Sequence, residues 1–248
     1  MQLIIGRKPV LEAINSGDVI EQLYLIYGQK GDIINTIIVA ARKRGIKLTQ
    51  LPYDKFNALV SNPNAQGVAA RKSSQVPFSL ESIIDGAKKS PSPLILILDS
   101  IQDPRNLGAI IRTAECSGVD GIIITKYNSA AINETVIKTS AGAAEHSKIC
   151  TVNNLANTIK TLKESGFWII GTSLEGSKDY SQIDYRIPVA LIIGNEEKGL
   201  RRLTAENCDF LVKIPMKGKI QSLNVSVASG IILFEILRQR NSAISQPD

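Results

Sequence analysis

Three stretches of this sequence place polar side chains directly after apolar runs that read as buried strands, where ligands bind in parallel sheets. The first, SIQDPRNLGAIIRTAECSG, follows LILILD. Asp103 and Pro104 predict a helix start, because aspartate caps helices and proline suits the first turn. Asn106 would then lie in the first turn and Arg112 less than two turns further on. The alternative for Arg112 is a surface ion pair, for example with Glu115.

The second stretch, NEEKGLRRLT, follows the apolar run VALIIG. Gly194 ends that run, where a backbone without a side chain can approach a ligand closely. Asn195, Glu196 and Glu197 come next, and Gly199 precedes a short helix. An acidic turn suits a cofactor that donates hydrogen bonds, such as a ribose or an amine, and it would repel a phosphate. A solvated turn without a function is the alternative.

The third stretch is KIPMKGKIQSLNVSVASGIILFEILRQR. A helix is expected to start near Ser222 or Leu223, where its first backbone N–H groups would be free to bind acceptors. Ser222 and Asn224 could present their side chains at the same end. Ser222 could equally be a plain N-cap. Ser226 and Ser229 fit close helix packing through small residues better than a catalytic role.

Several catalytic motifs are missing from the sequence. It has no G-x-x-x-x-G-K-[ST] and no G-x-G-x-x-G after the first strand of either half, which excludes a P-loop and an ordinary dinucleotide site. His146 is the only histidine and no G-x-S-x-G occurs, which argues against Ser-His hydrolysis. The three cysteines form no C-x-x-C pair, so neither a disulfide framework nor a zinc site is expected, and no metal is indicated.

Helical and apolar stretches alternate along the chain. In residues 1–75, helices are predicted over KPVLEAINS, DIINTIIVAARKRG (with Asp32 as N-cap) and YDKFNALVS. Strands of the same small α/β domain are predicted over EQLYLIY, IKLTQL and QGVAARK. Residues 76–92 predict a linker with one short helix. From residue 93, the apolar strands LILILD, GIIIT, FWIIGT and VALIIG alternate with helices near 104–117, 133–141, 154–165 and 222–240. This pattern predicts a parallel sheet covered on both faces.

The basic residues are concentrated in the first third of the chain. Residues 1–75 hold ten Lys/Arg against five Asp/Glu, whereas residues 76–248 hold nineteen against eighteen. A basic module beside a nearly neutral one suggests that the first third binds a polyanion, although ordinary surface variation would also explain the charge. No apolar run approaches the ~20 residues of a membrane helix, and the N-terminus lacks a signal-peptide layout. A cytoplasmic protein is expected.

Together the three stretches resemble the SpoU (TrmH-like) family of RNA ribose 2′-O-methyltransferases, of the SPOUT superfamily. LDSIQDPRNLGAIIRTAECSGV resembles its motif 1, LIIGNEEKGL its motif 2 and KIPMKGKIQSLNVSVASGIILFEI its motif 3, in the same order, and SAGAAEH lies between them. GRKPVLEAI and QGVAA make residues 1–75 similar to the family's L30e-like substrate-binding domain. By layout, the RlmB group of 23S rRNA guanosine 2′-O-methyltransferases is the nearest.

The resemblance implies a SPOUT methyltransferase domain over residues 93–248 with a deep trefoil knot, built from about Val189 to Arg240. It implies S-adenosyl-L-methionine as the cofactor, bound in the knot, and a homodimer with the active site at its interface. The positions that match the family's cofactor-binding residues are Gly194, Ile214 and Leu223, with Thr172 as a weaker candidate.

The resemblance also implies catalytic roles. Arg112 would activate the ribose 2′-hydroxyl, either by losing its proton transiently or, as we favour, by staying charged and stabilising the alkoxide. Asn106 would orient Arg112 or the substrate. Glu196 and Asn224 would position the ribose and the cofactor, and Ser222 would face the ribose.

The implied activity is methyl transfer to a ribose 2′-OH in RNA, with a guanosine of 23S rRNA as the expected target. Three alternatives stay open on the sequence. The chain could act on tRNA, it could be an rRNA methyltransferase that confers antibiotic resistance, or it could be a ribosome-assembly factor that binds RNA without catalysis.

Overall fold

The structure is a computed structural model that describes residues 2–16, 18, 20–72, 78–174 and 178–242. The chain forms two compact units, Met1–Pro77 and Phe78–Asp248. The elements of the first unit are β1 (Gln2–Ile5), α1 (Arg7–Ser16), β2 (Ile20–Ile26), α2 (Asp32–Lys43), β3 (Lys47–Leu51), α3 (Tyr53–Val60), a 3₁₀ turn (Pro63–Ala65) and β4 (Val68–Lys72).

The first unit is a four-stranded sheet in the order β1-β4-β2-β3, in which only the β2–β3 pair is parallel. Successive residues of β2 point to opposite faces, so Leu23 and Leu25 pack with α1 and α2, whereas Tyr24 packs with Phe56 of α3. The predicted helices and strands are present, and the unpredicted β1 adds an edge strand of only four residues.

The predicted N-cap of α2 is wrong. Gly31 occupies the N-cap position and no side chain caps this helix, while Asp32 lies in the first turn. A carboxylate in the first turn is still favourable there, because it faces the positive end of the helix dipole.

The second unit contains the remaining elements. They are α4 (Leu80–Ala87), β5 (Leu94–Leu98), α5 (Pro104–Cys116), β6 (Gly121–Thr125), α6 (Glu134–Thr139), α7 (Ala143–His146), β7 (Ile149–Val152), α8 (Leu155–Glu164), β8 (Trp168–Thr172), β9 (Lys178–Asp179), a 3₁₀ turn (Tyr180–Gln182), β10 (Val189–Ile193), α9 (Arg202–Glu206), β11 (Phe210–Lys213) and α10 (Val225–Ser242). The short helix predicted between residues 76 and 92 is α4, capped by the Ser79 hydroxyl.

The strands of the second unit form one sheet in the order β7-β6-β5-β10-β8-β11-β9, and every pair is parallel. Each residue of β5 is buried: Leu96 faces a core shared with α5 and α10, and Ile95 faces a core shared with α4 and α8. The prediction of a parallel sheet covered on both faces is confirmed. All carboxyl ends of these strands therefore meet along one edge.

The start of the last helix differs from the prediction. Helix α10 begins at Val225 rather than at Ser222 or Leu223. The Asn224 Oδ1 atom accepts hydrogen bonds from the backbone N–H of Ser226 at 2.8 Å and from its hydroxyl at 2.6 Å. Asn224 thus caps the helix, and Ser222 stays in the loop before it.

At its other end, α10 is anchored by Arg240. The Arg240 guanidinium donates hydrogen bonds to the carbonyl oxygens of Ser92 (2.6 Å), Pro93 (3.1 Å), Tyr185 (3.0 Å) and Ile187 (3.2 Å). These carbonyls precede β5 and β10, so one side chain ties the last helix to the beginnings of two central strands. No helix in the described part of the chain combines the length and apolarity needed to span a membrane.

Candidate active site

The turn after β10 is held in one shape by its own hydrogen bonds. Asn195 and Gly199 exchange two backbone hydrogen bonds of 3.0 Å, and the Asn195 Oδ1 atom accepts from the backbone N–H groups of Glu197 and Lys198. The Asn195 Nδ2 atom donates to the carbonyl of Ser100, at the end of β5, at 2.9 Å. The acidic turn is therefore fixed to the neighbouring strand rather than freely solvated.

Gly194 has no room for a side chain. It is buried at the end of β10, and a Cβ atom there would lie 2.6 Å from both the Gly199 carbonyl oxygen and the Leu200 backbone nitrogen. Such distances are far inside van der Waals contact. The fold of the turn therefore requires glycine at this position. The same turn brings backbone atoms to the place where a ligand is expected from the sequence.

A chain of amide and carboxylate groups joins the three motifs. The Asn106 Nδ2 atom, in the first turn of α5, donates to Glu196 Oε1 at 3.3 Å. The Asn224 Nδ2 atom donates to Asn106 Oδ1 at 3.1 Å. The other Glu196 oxygen accepts from Asn195 at 3.2 Å. Residues that are distant in sequence thus present one continuous polar surface.

A cleft of about 290 Å³ opens beside this polar chain, where strands β8, β10 and β11 end. It contains all four predicted cofactor-binding residues and two of the predicted catalytic ones. These lining residues are Thr172, Gly194, Ile214, Leu223, Glu196 and Ser222. The apolar side of the cleft consists of Ile193, Val212, Val225 and Ile232.

Thr172 and Leu223 differ in how firmly they are held. The Thr172 hydroxyl donates to the carbonyl of Ile192 in the adjacent strand, at a long 3.4 Å. Leu223 lies in the loop before α10 and remains 38% exposed, so it lines the cleft without packing into the core, whereas Val225 packs there.

Arg112 lies apart from the polar chain. It is exposed on α5, and its guanidinium makes no hydrogen bond or ion pair with another described residue, so neither the surface ion pair with Glu115 nor a hydrogen bond with Asn106 is present. Asn106 instead binds Glu196 and Asn224. A single chain does not bury Arg112.

An ion pair that was not predicted from the sequence joins the buried Asp99 carboxylate, directly after β5, to the half-exposed Arg201. Asp99, only 1% exposed, accepts hydrogen bonds from the Arg201 guanidinium at 2.7 and 3.2 Å and from the Ser100 hydroxyl at 3.0 Å. A charged residue directly after the apolar run LILIL was the available signal. Asn195, noted only as part of the acidic turn, is the residue that orients Glu196.

These features define an α/β protein with a ligand cleft at the carboxyl edge of a parallel sheet, where ligands of this class of fold bind. One side of the cleft is apolar, backbone atoms at Gly194 border it, and the Glu196 carboxylate is held in place by hydrogen bonds. Nowhere in the described ranges do three His, Cys, Asp or Glu side chains lie close enough together to hold a metal ion.

Comparisons with known proteins identify the family. The profile of the SpoU rRNA Methylase family matches residues 93–234, and that of RNA 2'-O ribose methyltransferase substrate binding matches residues 3–75. Proteins assigned to the TrmH family of tRNA/rRNA methyltransferases from Staphylococcus saprophyticus and Bacillus subtilis are 42% and 38% identical, each over 96% of both chains. This chain belongs to the SpoU family and is an RNA methyltransferase.

Solved structures agree with this assignment. The SpoU methyltransferase AviRb from Streptomyces viridochromogenes superposes with a TM-score of 0.63 at 25% identity, over 97% of this chain and 90% of that one. An rRNA methyltransferase from Sinorhizobium meliloti, solved with AdoMet bound, gives a TM-score of 0.62 at 28% identity, over 95% and 86%. The resemblance stated from the motifs and the expected fold class are confirmed.

Proposed function

We propose that this chain transfers a methyl group to the 2′-hydroxyl of a guanosine ribose in 23S rRNA. S-adenosylmethionine is the methyl donor. The observation that carries the proposal is the hydrogen-bonded chain from Glu196 through Asn106 to Asn224 at the mouth of the cleft. It brings one polar residue from each of the three motifs to a single place.

The cleft fits this cofactor chemically. Its apolar wall suits an adenine ring, and the backbone beside Gly194, Ile214 and Leu223 can exchange hydrogen bonds with the adenine and its ribose. Glu196 suits a cation, and the same acidic turn disfavours a phosphorylated cofactor. When bound, S-adenosylmethionine supplies a methyl group already activated by its sulfonium.

The protein must then orient the ribose hydroxyl and lower the cost of removing its proton. Alignment of the reacting groups can supply up to about 7–11 kcal/mol in favourable systems. Asn106 and Asn224 are hydrogen-bonded to each other, and Ser222 lines the cleft; these three side chains would hold the ribose. Arg112 would stabilise the developing alkoxide with its positive charge.

For this role, the Arg112 side chain must be shielded from water, and a second copy of the chain would shield it. Helix α10 exposes apolar side chains on its outer face, including Val227 and Phe234, each 50% exposed, and it packs beside α5. A homodimer over this face would exclude water from Arg112 and strengthen its electrostatic effect. The proposal includes the trefoil knot over residues 189–240, with Arg240 anchoring its end.

The first unit would bind the RNA, in the cytoplasm. A groove of about 1010 Å³ in this unit is bordered by Arg7, Lys8, Gln29 and Asn64. The Arg7 guanidinium is fixed by the Gln29 side chain at 2.8 Å and the Gln66 carbonyl at 3.2 Å. Oriented cations and amides suit structured RNA with unstacked bases, which favours ribosomal RNA.

The experiment is a methyl-transfer assay with labelled S-adenosylmethionine and unmodified transcripts of 23S rRNA and tRNA in separate reactions. Label in one 2′-O-methylated guanosine of 23S rRNA is the expected result. Label only in tRNA would keep the chemistry and overturn the substrate. RNA binding without any transfer would favour the assembly-factor alternative.

Arg112→Ala tests the mechanism in the same assay. We expect transfer to be abolished while cofactor affinity, measured by calorimetry, stays within about twofold, because Arg112 does not line the cleft. Arg186→Ala is the control, since Arg186 is an exposed arginine paired with Asp184 before β10, at the opposite edge of the sheet. Full activity of Arg112→Ala would remove Arg112 from the mechanism.

A further inference from the structure

A second cleft lies at the same edge of the sheet as the active site. It has a volume of about 610 Å³ and lies beyond the ends of β6 and β7, against the start of α9. None of its lining residues lines the cofactor cleft. Three residues that border it lie outside the family motifs, namely Tyr127, Asn153 and Arg202.

The charged residues that line this second cleft are both arginines. Arg201 and Arg202 line it, and none of its described lining residues is acidic. The Arg202 side chain is 84% exposed and lies 3.6 Å from Glu206, an exposed pair that water screens strongly. The Arg202 guanidinium therefore remains available to an incoming anion.

The cleft also offers a ring and an unpaired amide. Tyr127 is 63% exposed, and the Lys126 ammonium lies 6.0 Å from its ring centroid. The Asn153 carboxamide is exposed and has no hydrogen-bond partner among the described residues. An exposed aromatic ring beside cations and a free amide is the combination that binds single-stranded nucleotides, by stacking, phosphate contact and base-edge hydrogen bonds.

Arg201 connects this cleft rigidly to the active site. Its guanidinium is held by buried Asp99, at the end of β5, and the adjacent Ser100 carbonyl accepts from Asn195 in the acidic turn. In the sheet, β5 alone separates β6 from β10, so their ends lie about 10 Å apart. A few nucleotides of single strand span that distance.

We propose that this cleft binds a nucleotide of the substrate RNA that neighbours the methylated residue, with its base on Tyr127 and its phosphate on Arg202. The inference rests on the proposed function, because the target ribose must lie at the mouth of the cofactor cleft. If so, the second unit contributes to the selection of the RNA substrate together with the first unit.

The test measures KM for RNA and kcat separately, with the transcripts of the transfer assay as substrates. Tyr127→Ala and Arg202→Ala should each raise KM for RNA about tenfold, with cofactor affinity and melting temperature unchanged. Tyr127→Phe keeps the ring and should recover most of the RNA affinity that Tyr127→Ala loses. For Arg202→Ala, the slope of log K for RNA binding against log salt should fall by about one.

Arg186→Ala is the matched control, because it removes an equally exposed arginine from the opposite edge of the sheet. A KM for Tyr127→Ala and Arg202→Ala equal to that of this control would overturn the inference. A joint loss of cofactor affinity and melting temperature would also overturn it, by showing a structural role. Failure of the proposed function appears differently, as absence of methyl transfer by the wild type itself.

Discussion

The Asn224 side chain donates a hydrogen bond from Nδ2 to Oδ1 of Asn106, which lies 3.1 Å away and 118 positions earlier in the chain. Asn224 also caps α10, and Asn106 also binds Glu196. The two amides therefore lock the start of the last helix to the first turn of α5. The mouth of the cleft is assembled by this contact rather than by either motif alone.

The first prediction is that Asn106→Ala lowers kcat about 100-fold, because small misplacement of reacting groups is that costly. Cofactor affinity should change little, since Asn106 does not line the cofactor cleft. Steady-state kinetics and calorimetry measure the two effects. Asn157→Ala, which removes an exposed amide from α8, is the control.

The same contact can be examined with a double-mutant cycle. If Asn106 and Asn224 act as one unit, the losses of kcat in Asn106→Ala and Asn224→Ala will not add in the double variant. Additive losses would show that the two amides act independently. In that case the hydrogen bond between them would have no role in catalysis.

The second prediction concerns Gly194. Gly194→Ala should lower the free energy of unfolding by about 1–3 kcal/mol, because the new methyl group would overlap the Gly199 and Leu200 backbone. Cofactor affinity should fall at least about tenfold as the acidic turn shifts. Denaturant unfolding and calorimetry check both values.

Gly218→Ala is the control for that substitution. Gly218 lies in the loop before α10, and the nearest atom to its added Cβ is 4.0 Å away. Its free energy of unfolding should stay within about 0.5 kcal/mol of wild type. Equal effects of the two substitutions would mean that the close packing around Gly194 does not matter.

The sheet could be predicted from the sequence because its central strands are buried on both faces. All five residues of β5, β6 and β10 are buried, so each leaves an unbroken apolar run in the sequence. Strand β9 has two residues, Lys178 and Asp179, which no periodicity could reveal. Residues 175–177, beside it, lie outside the described residues.

Site residues that come directly after a strand could be predicted from the sequence. Contacts between residues that are far apart in the sequence could not. Glu196 and Gly194 follow an apolar run directly, so their place at the sheet edge could be inferred. Ser222 and Asn224 are both good N-cap residues, and the hydrogen bond between Asn224 and distant Asn106 could not be predicted from local sequence. Asp99 and Arg201 are 102 positions apart, and local sequence carries no sign of their pairing.

The third prediction concerns the anchor of α10. Arg240→Lys should lower the free energy of unfolding by about 2–4 kcal/mol, because a single ammonium cannot satisfy four carbonyl oxygens held in different directions. Burial lowers the pKa of Arg240, with Asp120 opposing the shift, but the group stays charged at neutral pH.

Arg238→Ala, two residues earlier on the same helix, is the control for Arg240→Lys. Arg238 is exposed and pairs with Glu235 at 2.8 Å, so its loss should cost less than about 1 kcal/mol. Urea unfolding of the three proteins measures the difference. A loss in Arg240→Lys no larger than in Arg238→Ala would contradict an anchoring role.

The fourth prediction concerns the thiols. Burial raises the pKa of Cys150 and of Cys208 from 9.0 to about 12, whereas Cys116 is exposed at the end of α5. Since the thiolate is the reactive form, iodoacetamide at pH 8 should modify Cys116 in the native protein and the other two only after unfolding. Peptide mass spectrometry identifies the sites.

The same shifts predict a loss of stability in alkali. A folded-state pKa above the unfolded value gives a contribution that is complete below pH ~9 and is lost as pH rises toward ~12, because only the unfolded thiols ionise in that range. Cys150→Ser and Cys208→Ser remove the thiols and should flatten the decline in this window. If stability falls equally steeply with pH in the wild type and in the double variant, these two cysteines do not cause the alkaline loss of stability.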